Sequence, residues 1–338
     1  MIKVYRVYGE FVKDYFPFKG YTGFMVRGAF GMALRKVCCT RSLDIECRKC
    51  DCYRKCYYAR VFEASSLTRP AAKLATKSGR EGIPRPYSVT PLYTSGRNVR
   101  FELTLVGRDV IEGEHLIVMA LLLMADEGLG IDLTRNERRR VRLKKVYATT
   151  PPLDIGYTVF DSKRGYISSP TSASSELLEV FAAEAERIAE LRPVYLNIQF
   201  KTPFKIQISG TPTTRPPLHA IVISLARKYS LLSEYYGVGT PLSVSEARRL
   251  KYVLSKSAKL EKGKYKRLRL FKKSLETGGI KTLGVFTIGF YRYRVDPKAW
   301  STDEMILGLK LLLLGRYLGV GRGSSAGCGR YRLEIDLM

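Results

Sequence analysis

Residues Tyr195 to Ile208, YLNIQFKTPFKIQI, are where the order of elements begins a second time. Apolar and polar residues alternate on both sides of Lys201-Thr202-Pro203, the period of a half-buried strand, so the stretch predicts a strand pair or one bent strand. A helix over His219–Tyr236, a long alternating strand over Lys281–Val295 (KTLGVFTIGFYRYRV), a helix over Thr302–Leu318 and a closing strand over Arg330–Leu337 follow. The same succession already stands upstream. There is a strand over residues 1–12, then a helix over Tyr21–Val37 with Phe24, Phe30, Ala33, Leu34 and Val37 on one face. Next come an alternating strand over Asn98–Gly107, a buried helix over 110–127 and a basic strand over Arg138–Tyr147. An amphipathic helix over Ser174–Leu191, ended by Pro193, bridges the halves. Two rounds of a β-α-β-β-α-β order predict an α+β chain of tandem ferredoxin-like (RRM-like) domains, residues 1–192 and 193–338. A Cys-rich insertion at 38–62 interrupts the first. No internal sequence repeat is visible, so the duplication rests on element order alone.

The chain has 338 residues, 45% of them hydrophobic, enough to bury a core in each of two domains. Its 58 Lys and Arg against 31 Asp and Glu leave a formal charge of +27, a field that attracts polyanions, nucleic acid before anionic membrane. The charged, alternating start MIKVYRVYGEF is unlike a secretory signal. The most apolar runs, His115–Ala125 and Met305–Leu314, fall well short of the roughly 20 residues of a membrane span. A cytoplasmic protein without membrane partners is expected. Asn and Gln are scarce, which suggests a thermophilic source.

Six of the seven cysteines crowd into Cys38, Cys39, Cys47, Cys50, Cys52 and Cys56. Cys39, Cys47, Cys50 and Cys56, or a variant using Cys38 or Cys52, supply the four thiolates of a structural zinc site, since Cys-x2-Cys turns two thiolates toward one ion. Disulfides, plain thiols and an iron–sulfur cluster remain alternatives. The segment Arg248–Lys273 (RRLKYVLSKSAKLEKGKYKRLRLFKK) holds twelve Lys and Arg against one acid, with Tyr252, Tyr265 and Phe271 interleaved. Such a run reads as a strand-binding surface with planes for unpaired bases, and Lys264, Lys266, Arg267 and Arg269 are its expected RNA contacts. The alternative is a merely solubilising basic face. A second basic cluster spans Arg135 to Lys145. Near the end, LGVGRGSSAGCGRYRLEI (Leu318–Ile335) packs five glycines and three arginines together. Its glycines suit close approach of backbone N–H groups to phosphate, so Gly321, Arg322, Gly323, Gly327, Gly329 and Arg330 are expected at RNA. The spacing is not that of a nucleotide-binding P-loop.

Taken in order, GFMVRGAFGMALRKVCC, CRKCDCYRKCYYARVFE, FELTLVG, LRLFKKS, LGVFTIGFY and the final LGVGRGSSAGCGRYRLE resemble the CRISPR-associated endoribonucleases that process precursor CRISPR RNA. That family lies within the RAMP superfamily, with its C-terminal glycine-rich loop. The resemblance runs from about residue 20 to 335. It implies tandem ferredoxin-like domains, repeat RNA bound in a basic cleft, and one metal-independent cut per repeat without a catalytic cofactor. In that cut the 2′-OH attacks the neighbouring phosphate and leaves a 2′,3′-cyclic phosphate. Handover of the product to a CRISPR effector complex, an archaeal source in antiviral defence, and a monomer or homodimer are compatible with it. Family members often carry a histidine on the first helix, and Tyr21–Val37 has none. The substitutes are Arg27, Arg35 and Lys36 for the developing charge, Tyr21 to orient the nucleophile or relay a proton, and His219, one of only two histidines. The rival reading is a non-catalytic RNA-binding RAMP subunit of an effector complex; a general nucleic-acid binder would show no preference for repeat RNA.

Overall fold

The computed structural model describes residues 1–15, 18–64, 82–132, 135–152, 155–167, 176–273 and 279–337, and divides into two compact units. Of these described residues, the ones up to 167 and Gly279 belong to the first unit, and the ones in 176–273 and 280–337 to the second. No helix among them is long and apolar enough to cross a membrane.

In the first unit β1 (Ile2–Phe11) leads to α1 (Gly23–Cys38) and, after the Cys-rich segment, α2 (Tyr57–Phe62). Then come β2 (Tyr87–Val89), β3 (Tyr93–Ser95), β4 (Asn98–Val106), the turn α3 (Arg108–Ile111) and α4 (Glu114–Glu127). The hairpin β5 (Leu129–Asp132) and β6 (Glu137–Arg139), then β7 (Val141–Thr149), β8 (Gly156–Asp161) and β9 (Gly165–Tyr166) close it. The antiparallel sheet runs β2-β4-β1-β7-β8-β9, with β3 also on β4. Its central four strands follow the ferredoxin-like order of second, third, first, fourth. The basic strand expected over Arg138–Tyr147 is two strands: Arg140 leaves the ladder to bond Asp126, so β6 pairs with β5 while β7 joins the main sheet. On α1 the buried stripe is Val26, Ala29, Phe30, Ala33 and Leu34, with Phe24 and Val37 only half-buried at its edges. Glu114 at the head of α4 is buried and satisfied by Lys3 at 3.5 Å and the Tyr5 hydroxyl at 2.8 Å, which pins the helix to β1.

The second unit repeats the order. β10 (Tyr195–Phe200) follows α5 (Ala182–Glu190), and the small hairpin β11 (Ile206–Ile208) and β12 (Thr211–Thr213) leads to α6 (Leu218–Tyr236) and α7 (Val244–Ser257). Two 16-residue strands, β13 (Ala258–Lys273) and β14 (Ile280–Val295), precede α8 (Asp303–Leu318) and β15 (Tyr331–Asp336). The sheet order β13-β14-β10-β15 is again second, third, first, fourth. A capping box of Ser243 and Glu246 starts α7, and Thr302 caps α8. The helix expected over Ser174–Leu191 is shorter: a 3₁₀ turn at Glu179–Phe181 precedes α5, and residues 174–175 lie outside the described residues. Tyr291 and Tyr293 on β14 are buried, and their hydroxyls donate to Thr214 O and Pro216 O at 2.6 and 2.8 Å, which fixes the entry into α6.

Candidate functional site

In the first unit, Gly31 lets the ring of Phe62 lie directly on α1, where a Cβ would overlap it. Two guanidinium groups flank that ring, Arg27 at 5.6 Å and Arg85 at 4.9 Å from its centroid, and Tyr87 stacks on it at 5.7 Å. Arg85 is oriented by its Nε donating to Phe62 O at 2.7 Å. The Arg27 Nε and the Tyr87 hydroxyl are buried without a hydrogen-bond partner. Burial first, and then the charge of Arg85, hold the Arg27 guanidinium below its ordinary pKa, with Tyr87 and Glu63 acting in the opposite sense. Two half-buried cations that repel each other offer a seat for an anion such as a phosphate oxygen on their open side.

The other first-helix candidates are engaged. Arg35 donates from Nη2 to Leu43 O and Ile45 O, both at 2.7 Å, and so holds the Cys-rich segment against α1. Lys36 pairs with Glu127 of α4. Tyr21 precedes α1 and packs edge-on against Phe24 at 5.6 Å. His219 opens α6 in the second unit, and burial followed by the charge of Lys251 lowers its pKa, so the imidazole is neutral at pH 7. Arg85 and Tyr87 went unsuspected because they fall in a Pro- and Gly-containing stretch and gain meaning only by folding back onto Phe62.

The basic segment Arg248–Lys273 is half helix and half strand: α7 carries Tyr252 exposed, and β13 is the edge of the second sheet. From Lys264 to Arg269 every side chain is exposed, so both faces of the strand meet solvent. Lys264, Lys266, Arg267 and Arg269 project there, with Tyr265 and, beyond, Phe271 (51% exposed) as apolar planes. The pattern matches a groove wall for a polyanionic strand better than an ordinary half-buried strand.

The glycine-rich loop takes its composition from its own folding. All five glycines have positive φ, between 67 and 80°. Gly319 and Gly329 face each other so closely that a Cβ on either would strike the carbonyl oxygen of Cys328 or Val320. Several donors are spent inward: Gly329 N on Pro203 O at 2.9 Å, Arg322 N on Lys205 O at 3.0 Å and Val320 N on Gly329 O at 3.0 Å. Gly327, Gly329 and Arg330 are buried; Arg322 is exposed, and Gly321 and Gly323 are half-buried. Beneath the loop, Lys228 of α6 donates to Leu318 O at 3.2 Å and to Gly319 O. Burial, then Arg330, push Lys228 from 10.5 down to about 7. Unfolded lysine keeps its proton to about 10.4. The unfolded chain therefore binds more protons in this window, and the Lys228 contribution makes stability rise with pH from about 7 to about 10.5. Lys228→Met should remove that part of the slope. Denaturation midpoints of both proteins across this range test it, and parallel curves would show that Lys228 stays charged in the fold.

Cys39, Cys47, Cys50 and Cys56 line one small cavity between α1 and α2, whereas Cys38 and Cys52 do not line it. All seven cysteines are free thiols. Burial raises the Cys47 pKa, with Arg35 opposing.

Residues 2–172, just over half the chain, match the family AF_1859_N, described as an N-terminal domain, and residues 198–331 match CRISPR-associated endoribonuclease Cas6. Among curated proteins none matches. Among solved structures, the Cas6 (TTHB231) product complex is similar over 99% of this chain and 100% of its own, with a TM-score of 0.53 and 18% identity. Thermus thermophilus Cas6 (TTHB231) is similar over 99% and 98%, with a TM-score of 0.51 and 16% identity. A partial Cas6-RT-Cas1–Cas2 complex is similar over 99% of this chain and 46% of its own, with a TM-score of 0.50 and 11% identity. At these identities the likeness is one of fold.

Proposed function

Since the chain belongs to the CRISPR-associated endoribonuclease Cas6 family, RNA-cleaving enzymes, we propose that it binds CRISPR repeat RNA and cuts precursor CRISPR RNA once per repeat without a metal ion. The observation that carries this reading is the half-buried guanidinium pair of Arg27 and Arg85 with its unpaired donors at the first helix. In the reaction the 2′-oxygen bonds to the adjacent phosphorus as its proton leaves, the bond to the 5′-oxygen breaks, and that oxygen takes a proton. The products are a 2′,3′-cyclic phosphate and a 5′-OH. Negative charge accumulates on the non-bridging oxygens in the phosphorane-like state, where a preorganised guanidinium stabilises it most. Arg27, with Arg85 beside it, takes that role. Tyr21, which precedes the same helix as Arg27, is the first candidate for proton transfer; His219, on the second unit, has its pKa lowered by burial and then by Lys251, which suits a base, and is the other. Lys36 gives charge support while paired to Glu127. The exposed cations of β13 and Arg322 of the glycine-rich loop hold the RNA backbone. The product passes to a CRISPR effector complex in the cytoplasm.

The test is to mix the protein with end-labelled repeat RNA in excess chelator, beside an RNA with a single 2′-deoxy sugar at the mapped cut. The first should be cut and the second left intact. Tight binding with neither cut would instead favour a non-catalytic RNA-binding subunit.

A further inference from the structure

We propose that Cys39, Cys47, Cys50 and Cys56 form a structural zinc site that ties down the segment between α1 and α2. Three observations point to it. The first is placement: these four thiols, drawn from the end of α1, two 3₁₀ turns and the start of α2, line a single cavity, while neighbouring Cys38 and Cys52 do not line it. Spacing in the sequence allows several sets of four, and the cavity favours this one, with Cys38 beside Cys56 just outside it.

The second observation is a missing core. The two 3₁₀ turns, Cys47–Lys49 and Tyr53–Lys55, bury no residue, and Leu43 and Ile45 are exposed at 42 and 41%. The Arg35 guanidinium on two carbonyl oxygens holds the segment to α1, and the Arg41–Asp51 ion pair at the surface braces it internally. An exposed pair of that kind, screened by solvent, contributes little. A turn-rich module without an apolar interior is the kind that small proteins stabilise by a cross-link or a metal.

The third is donor chemistry. Four thiolates are the soft, tetrahedral set that zinc takes in closed structural sites. Such a centre carries a net charge of about −2. Arg35 and Arg41 line the same cavity and offset it. The thiols make only weak contacts that a metal would replace, Cys39 Sγ to Arg41 O at 3.3 Å and Cys50 Sγ to Asp51 Oδ1 at 3.7 Å. Among the described residues, no three of His, Cys, Asp or Glu converge tightly enough to grip an ion as they stand. The four cysteines line the cavity, and on this proposal binding draws the two turns inward, so ordering of the segment and metal affinity are coupled.

The experiment uses the full chain purified under reducing conditions, with metal content read by elemental mass spectrometry. One zinc per chain is expected, lost in Cys47→Ser and in Cys50→Ser and retained in Cys52→Ser. Should the serine variants fail to fold, cobalt titrated into chelator-stripped native protein gives a second reading: the intense visible bands of tetrahedral cobalt thiolate and a higher melting temperature. Iron in place of zinc, a disulfide with no metal, no cobalt bands, or equal loss of zinc in Cys52→Ser and Cys47→Ser would each overturn the proposal. RNA cleavage in chelator is read separately, so failure here leaves the nuclease reading standing.

Discussion

A chain carrying Arg27→Ala is expected to cleave repeat RNA about 10²–10³-fold more slowly in a single turnover, the usual effect of removing one donor aimed at charge that develops in the transition state. The argument rests on preorganisation. Phe62 fixes the guanidinium plane from one side, Arg85 shares the same ring, and the Arg27 Nε has no hydrogen-bond partner in the fold. The guanidinium is only half-buried, so a phosphate oxygen reaching its open side meets a cation already partly desolvated and held. Arg27→Lys keeps the charge and loses the fork, so an intermediate rate is expected. Loss of the cation–π contact costs about 1 kcal/mol of stability, small enough for the variant to remain folded, as circular dichroism would verify. RNA affinity should change far less than the rate. A single-turnover rate within about threefold of the native value would remove Arg27 from the chemistry.

The second large effect concerns binding. Replacing Lys264, Lys266, Arg267 and Arg269 together by alanine should weaken single-stranded RNA binding about a hundredfold at physiological salt, given a slope of about 0.7 per phosphate contact. Among the described residues none of the four side chains forms an ion pair, unlike Arg292 and Arg332, which pair with Asp336 and Glu334. The decisive measurement is affinity against salt concentration: the slope of the logarithmic plot should fall by about three, and an unchanged slope would mean that the RNA does not touch this strand.

Much of this architecture was legible before folding. Strand alternation and helix spacing located β1, β4, β14, α6 and α8 to within a residue or two, because in each the buried face is set by local periodicity. The same reasoning ran strands β6 and β7 together, since nothing local announces that Arg140 will turn away to Asp126. Among the candidate residues, the thiols and the basic segment were visible as clusters in sequence. Lys36 and Arg35 were visible as cations, but the Glu127 carboxylate and the loop carbonyls that engage them lie 91 and up to 10 residues away. The glycine-rich loop was read as bare backbone for a ligand. Its positive φ values and the contact of Gly319 with Gly329 show that the chain needs those glycines to close on itself.

The strand β13 has one further consequence. Among the described residues it is the last strand of its sheet, 16 residues long and open on both faces from Lys264 to Arg269, with no described strand on its outer edge, so that edge is a template for any other extended chain. Rows of lysine and arginine are a common means of keeping such an edge from pairing with its own copies. The cations that suit a polyanion therefore also keep the protein apart from itself, and a variant stripped of them should become prone to concentration-dependent aggregation, most of all when no RNA covers the edge.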